Sequence, residues 1–171
     1  MVTLKAALKK KLPDSGRIAL LGVGSELRGD DAAGLLVAEC LRKSPPKKIK
    51  QKKLKVFFGS TAPENLTGEI KKFKPACLVI VDSADMNRRP GTVKLINPDQ
   101  ISGISFCTHQ LPLKIMTDYL AKSIGCEILI IGIQPGKIDF GAPLSREVEK
   151  SAKDISDTIK EILSKEFFIQ R

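Results

Sequence analysis

Three continuous apolar runs set the frame for this chain: "RIALLGVG" at 17–24, "ACLVIVDSAD" at 76–85 and "CEILIIGIQP" at 126–135. A strand wetted on one face would alternate apolar with polar residues, and these do not. They read as strands buried on both faces, the habit of parallel sheets covered by helices. The sequence between them supplies those helices. "DDAAGLLVAECLRK" puts Ala33, Leu36, Val37, Cys40 and Leu41 on one helical face before Pro45 and Pro46 stop it. A short strand "LKVFF" at 54–58 leads through "GSTAPEN" into a helix ending near Lys72, and "PGTVKLIN" at 90–97 reads as a shorter strand with some alternation. "PLKIMTDYLAKSIG" at 112–125 is a helix with a C-terminal glycine. A last helix, from about Ser145 to Ser164, repeats Val148, Ala152, Ile155, Ile159 and Ile162 at helical spacing. Strands alternating with helices predict an α/β fold, a three-layer α/β/α arrangement with a mostly parallel twisted sheet of about five strands. With 171 residues and no repeat or dividing linker, residues 17–171 read as a single domain. Residues 1–16 are an extension in which "LKAALKKKL" forms a short amphipathic helix.

Several function classes are set aside. No apolar stretch approaches the roughly 20 residues that span a bilayer, so no membrane partner is expected. The N-terminus carries its charges after its apolar residues and does not read as a signal peptide, which points to the cytoplasm. Cys40, Cys77, Cys107 and Cys126 are far from any C-x-x-C spacing, and Cys40, Cys77 and Cys126 read as buried small apolar residues. The net charge of +10 and the run "PPKKIKQKKLK" at 45–55 raise a nucleic-acid reading. Aromatics are only 5% and no stacking motif interleaves with the lysines, so a solvated lysine-rich surface is the better account.

In open α/β sheets ligands bind beyond the carboxyl ends of the strands. Asp30 and Asp31 lie in the loop after the first apolar run and Asp82 near the end of the second. Gly22 and Gly24 suggest a phosphate cradle, but Leu27 stands where a dinucleotide fingerprint needs its third glycine, and two acids would oppose pyrophosphate at the helix start. One aspartate there is an ordinary N-cap. A second in the same turn adds repulsion and is better explained by a nearby cation. His109, the only histidine, follows a Ser/Gly-rich loop. A lone histidine is usually a satisfied structural residue; joined to two strand-end carboxylates it makes an oxygen and nitrogen donor set suited to nickel or zinc. Cys107 beside it is a further donor with no support of its own.

Together, "GVGSELRGDDAAG", "VIVDSADMNRRPGTVKLI", "CTHQLPL" and "IGIQP" resemble, in order and separation, the endopeptidases that mature NiFe hydrogenases. With "TAPEN", the chain is most similar to the branch that processes the large subunit of the formate-hydrogenlyase (hydrogenase 3 like) type. The resemblance covers 17 to about 164. It implies removal of a C-terminal extension from the large-subunit precursor after nickel insertion. Nickel would be carried by the substrate, with no tightly held metal of the enzyme's own. Carried onto matching positions, the metal-contacting and catalytic residues become Asp31, Asp82 and His109, with Asp30 a cap or support. Hydrolysis then has two routes: a metal polarises the scissile carbonyl, or a carboxylate acts as general base beside a metal used for recognition. The resemblance favours the second. The chain departs from the family where relatives end their second strand in D-G-G-S/T: here Phe58, Gly59, Ser60 and Thr61 stand. Ser25 replaces a usual Asn, and residues 1–16 have no counterpart. The competing readings are a basic nucleic-acid-binding module and a nucleotide-binding α/β protein using Gly22 and Gly24.

Overall fold

A computed structural model describes residues 4–13, 16–46, 54–98, 105–106 and 110–165. In chain order the elements are α1 (Leu4–Lys11), β1 (Ile18–Val23), α2 (Ala33–Lys43), β2 (Leu54–Ser60), α3 (Thr67–Phe73), β3 (Cys77–Asp85), β4 (Val93–Ile96), β5 (Ser105–Phe106), α4 (Gln110–Ile124), β6 (Glu127–Ile133) and α5 (Arg146–Lys165). The main sheet runs β2-β1-β3-β6-β4. Its first four strands are parallel; β4 lies antiparallel on β6 and closes the edge. This is the α/β layering expected from the three apolar runs, which are β1, β3 and β6.

Side chains along each run alternate between two cores. On one face Ile18, Leu20, Val79, Val81, Leu129 and Ile131 pack with α1, α2 and α5. On the other Leu21, Ile80, Ile128 and Ile130 meet α3 and α4. A continuous apolar run therefore still obeys the period of two, and both faces are dry because both carry helices.

α2 sits unusually close to the sheet. A Cβ at Gly34 would lie 2.1 Å from the Val81 carbonyl oxygen, and one at Gly22 would lie 2.4 Å from that of Gly34. Gly24 has a φ of +140°, and a Cβ there would fall 1.8 Å from the Asp31 carbonyl. The space beside Gly22 and Gly24 is thus filled by the chain's own backbone, and the apparent phosphate cradle is a packing contact. The shortest element, β5, falls in the loop read from sequence as Ser/Gly-rich. Its two residues pair antiparallel with Ala84 and Asp85, too few for any periodicity to register.

Among the cysteines, Cys77 and Cys126 are buried as expected, whereas Cys40 is only half-buried. Burial, with Glu127 nearby, pushes the Cys77 thiol up to about 12, so it stays a thiol. Cys107 lies outside the described residues, as do residues 47–53 of the lysine run. Among the described residues no helix is long and apolar enough to cross a membrane.

One polar side chain in the core has no visible purpose. The Ser156 hydroxyl in α5 is buried without a hydrogen-bond partner among the described residues. Leaving a buried hydroxyl unpaired costs on the order of 1 kcal/mol or more, and alanine is the better helix former. Ser156→Ala is expected to stabilise the protein by about 1 kcal/mol, raising Tm by about 2–4 °C in a thermal melt.

Candidate active site

The chain turns outward in opposite senses from β1 and β3. α2 carries it from β1 to β2 across one face, while α4 returns it to β6 across the other. The crevice between the carboxyl ends of β1 and β3 is therefore the topological switch point where such sheets bind ligands. Asp31 and Asp82 both stand there, and both are buried. Asp82 belongs to β3, and Asp31 to the turn that follows β1, the strand paired with β3 with Gly22 opposite Val81. The Ser83 hydroxyl donates to the Asp30 carbonyl at 2.6 Å, so each acid is the chain neighbour of one end of a single hydrogen bond. Asp82 accepts the Ser83 N–H on Oδ1 at 2.7 Å, which fixes its carboxylate.

The acids do not open α2 directly. Gly29–Ala32 form a turn of 3-10 helix ahead of it, entered through Gly29 at φ +52°. Within that turn the two aspartates differ sharply. Asp30 Oδ2 accepts the Gly136 N–H at 2.8 Å, the Lys137 N–H at 2.9 Å and the Ser145 hydroxyl at 3.0 Å, while Oδ1 accepts the Ser145 N–H at 2.6 Å. Burial alone would raise its pKa, but the backbone donors of Ser145, Lys137 and Gly136 outweigh that and hold it below the usual carboxylate value. Asp30 thus joins the β1 loop to the β6 loop and the start of α5. Ser145 was legible only as a helix start; nothing in the sequence pairs it with an acid 115 positions earlier.

A second buried polar group, Gln134, entered the sequence reading only as part of the string "IGIQP", with no role of its own. Its Oε1 accepts the N–H groups of Met86 and Arg88 at 2.7 and 3.2 Å, and its Nε2 donates to Asp85 at 3.1 Å. It ties the segment after β3 to the end of β6. The only hint was an amide closing an otherwise apolar run.

At the end of β2 the backbone takes a glycine-like turn. Ser60, at a glycine position of the motif, holds a φ of +45°, and its carbonyl accepts the Gly24 N–H at 3.0 Å. Phe58 replaces the motif's acid and lies under the Arg42 guanidinium, 5.4 Å from its ring centre.

His109 lies outside the described residues. It is flanked by Phe106, paired with Ala84 two residues beyond Asp82, and by Gln110, where α4 begins. Among the described residues no three His, Cys, Asp or Glu side chains are grouped to hold a metal.

Fold and crevice define an α/β protein with buried carboxylates at its switch point, and the comparisons with known proteins define its class as protease. Residues 36–164 match the family model for hydrogenase maturation protease. The chain is 35% identical to the hydrogenase 3 maturation protease of Escherichia coli over 137 residues, 80% of this chain and 84% of that one. Its fold superposes on a crystal structure of a NiFe hydrogenase maturation protease from Thermococcus kodakarensis with a TM-score of 0.82 at 32% identity, covering 92% of this chain and 98% of that one. A solution structure of an endopeptidase from Escherichia coli gives 0.76 at 33% identity, with 90% and 96% covered. The chain belongs to the hydrogenase maturation protease family. It is an endopeptidase acting in hydrogenase maturation, as the sequence resemblance implied.

Proposed function

We propose that the protein removes the C-terminal extension of a NiFe hydrogenase large-subunit precursor once nickel is in place, using Asp31, Asp82 and His109. The observation that carries this reading is the pair of buried carboxylates at the switch point, Asp82 on β3 and Asp31 in the turn after the adjacent β1, in a chain of this family. Aspartate is almost never fully buried without a charged or hydrogen-bonded purpose. Nickel arrives as part of the substrate. Carboxylate oxygens and an imidazole nitrogen suit that ion, and they would share it with the precursor's own ligands. The metal then reports that the precursor is loaded, and the enzyme needs no tightly held ion of its own.

The chemistry assigned to the protein is general-base hydrolysis. A carboxylate takes a proton from water as the water oxygen bonds to the scissile carbonyl carbon. The proton passes to the departing amine as the C–N bond breaks. The cytoplasmic placement expected from the N-terminal sequence belongs to the same proposal.

Nickel-loaded and nickel-free precursor, each incubated with the protein and weighed by mass spectrometry, provide the test. Only the loaded form should lose its tail. Equal shortening of both would remove nickel from the recognition step.

A further inference from the structure

The loops that follow β1 and β6 are fastened to each other. The Gly141 N–H donates to the Leu27 carbonyl at 2.8 Å and the Asp30 N–H to the Lys137 carbonyl at 2.8 Å. Asp30's carboxylate takes three more backbone donors from the second loop and its end. A Cβ at Gly29 would press within 2.5 Å of the Lys137 carbonyl, so the loops are also in tight contact. On this clamped rim Leu27 is 61% exposed and Phe140 79%, the latter the most exposed large apolar side chain among the described residues. Phe140 immediately precedes Gly141, so both side chains spring from one inter-loop hydrogen bond. The charges around them balance. Lys137 lies 3.8 Å from Asp139, and Glu26 and Arg28 flank Leu27.

Isolated exposed apolar residues are ordinary. Two of them, held in water by a frame this rigid and beside the crevice of a protease, call for an occupant. We propose that Leu27 and Phe140 form the apolar contact that seats the folded body of the large-subunit precursor on the enzyme. The assignment rests on the cleavage reading above, and continuity with that site identifies the occupant. Leu27 lies four residues before Asp31 in the same loop after β1, so the rim continues directly from the segment that carries the candidate acid. The preformed frame lets the precursor bind without first ordering the loops, which keeps the entropic cost of docking low.

The test titrates immobilised, nickel-loaded precursor with the wild-type protein and with Leu27→Ser, Phe140→Ser and the double variant, and follows KM and kcat in parallel. The double variant should bind about tenfold more weakly or worse, as loss of a central apolar anchor does. KM should rise with kcat retained at saturation, and the binding loss should vary little with salt. Phe140→Ser alone, at a site with little packing to lose, should show the same trend at an unchanged Tm. Asp31→Ala, which keeps the rim but gives up a contact to the substrate's nickel, should cleave nothing, and adding the two rim substitutions to it should weaken its remaining binding by the same factor as in wild type. Failure of Asp31→Ala to block cleavage would count against the active-site reading and leave the rim measurement standing. Wild-type affinity in the double variant overturns the proposal. So does a wild-type protein that self-associates through these residues while the double variant is monomeric and processes normally.

Discussion

Asp31→Asn is expected to give a folded protein that no longer shortens the precursor, with turnover reduced by about 10²- to 10⁴-fold, the range set by loss of a general base. The substitution keeps the shape of the side chain while removing its proton-accepting capacity and its negative charge. The local backbone should hold, because it has contacts of its own. The Asp31 carbonyl is seated against Gly24, and the Asp31 N–H donates to the Arg28 carbonyl at 3.0 Å. Mass spectrometry of the precursor reads the activity and circular dichroism reads the fold. Normal processing by a folded Asp31→Asn protein would remove Asp31 from the chemistry.

The neighbouring acid should behave in the opposite way. Asp30→Ala leaves three backbone N–H groups and the Ser145 hydroxyl without their acceptor. At about 1–3 kcal/mol for each buried donor that water cannot reach, and with some of them rehydrated, the expected loss is about 3–5 kcal/mol. That is a large part of the ~5–15 kcal/mol typical of a domain. Urea unfolding measures it. Asp30→Asn should not rescue, since its NH₂ must face at least one of four donors. The same carboxylate sets an acid limit. Its folded pKa lies below the ordinary 3.8, so the unfolded chain binds the proton more readily. Its contribution is complete above that ordinary value and is lost as the pH falls through the lower folded one. An Asp30→Asn protein should therefore show a flatter loss of stability below about pH 4 than wild type.

These contrasting fates mark how far the sequence could be read. The runs at 17–24, 76–85 and 126–135 carried the architecture, because strands covered on both faces leave an unmistakable apolar signal. Adjacency of β1 and β3, needed to bring residues 31 and 82 together, was a condition the runs could not themselves satisfy. Strand order is decided by which helix covers which face. The direction of β4 was equally hidden, since alternation looks the same in either sense. Choosing Asp31 over Asp30 came from resemblance alone. Asp30's own four bonds to Gly136, Lys137 and Ser145 were not legible either, because they join segments more than a hundred residues apart. The turn of 3-10 helix at Gly29–Ala32 was read as the start of α2 because its four residues are too few to show a period of their own.

The near-contact of Gly34 with β1 and β3 has a mechanical corollary. With room for nothing bulkier than hydrogen between helix and sheet, the two are geared like meshed teeth, and any twist of the strands reaches the acid turn undamped. The wall of the crevice bearing Asp31 thus works as a fixed jaw.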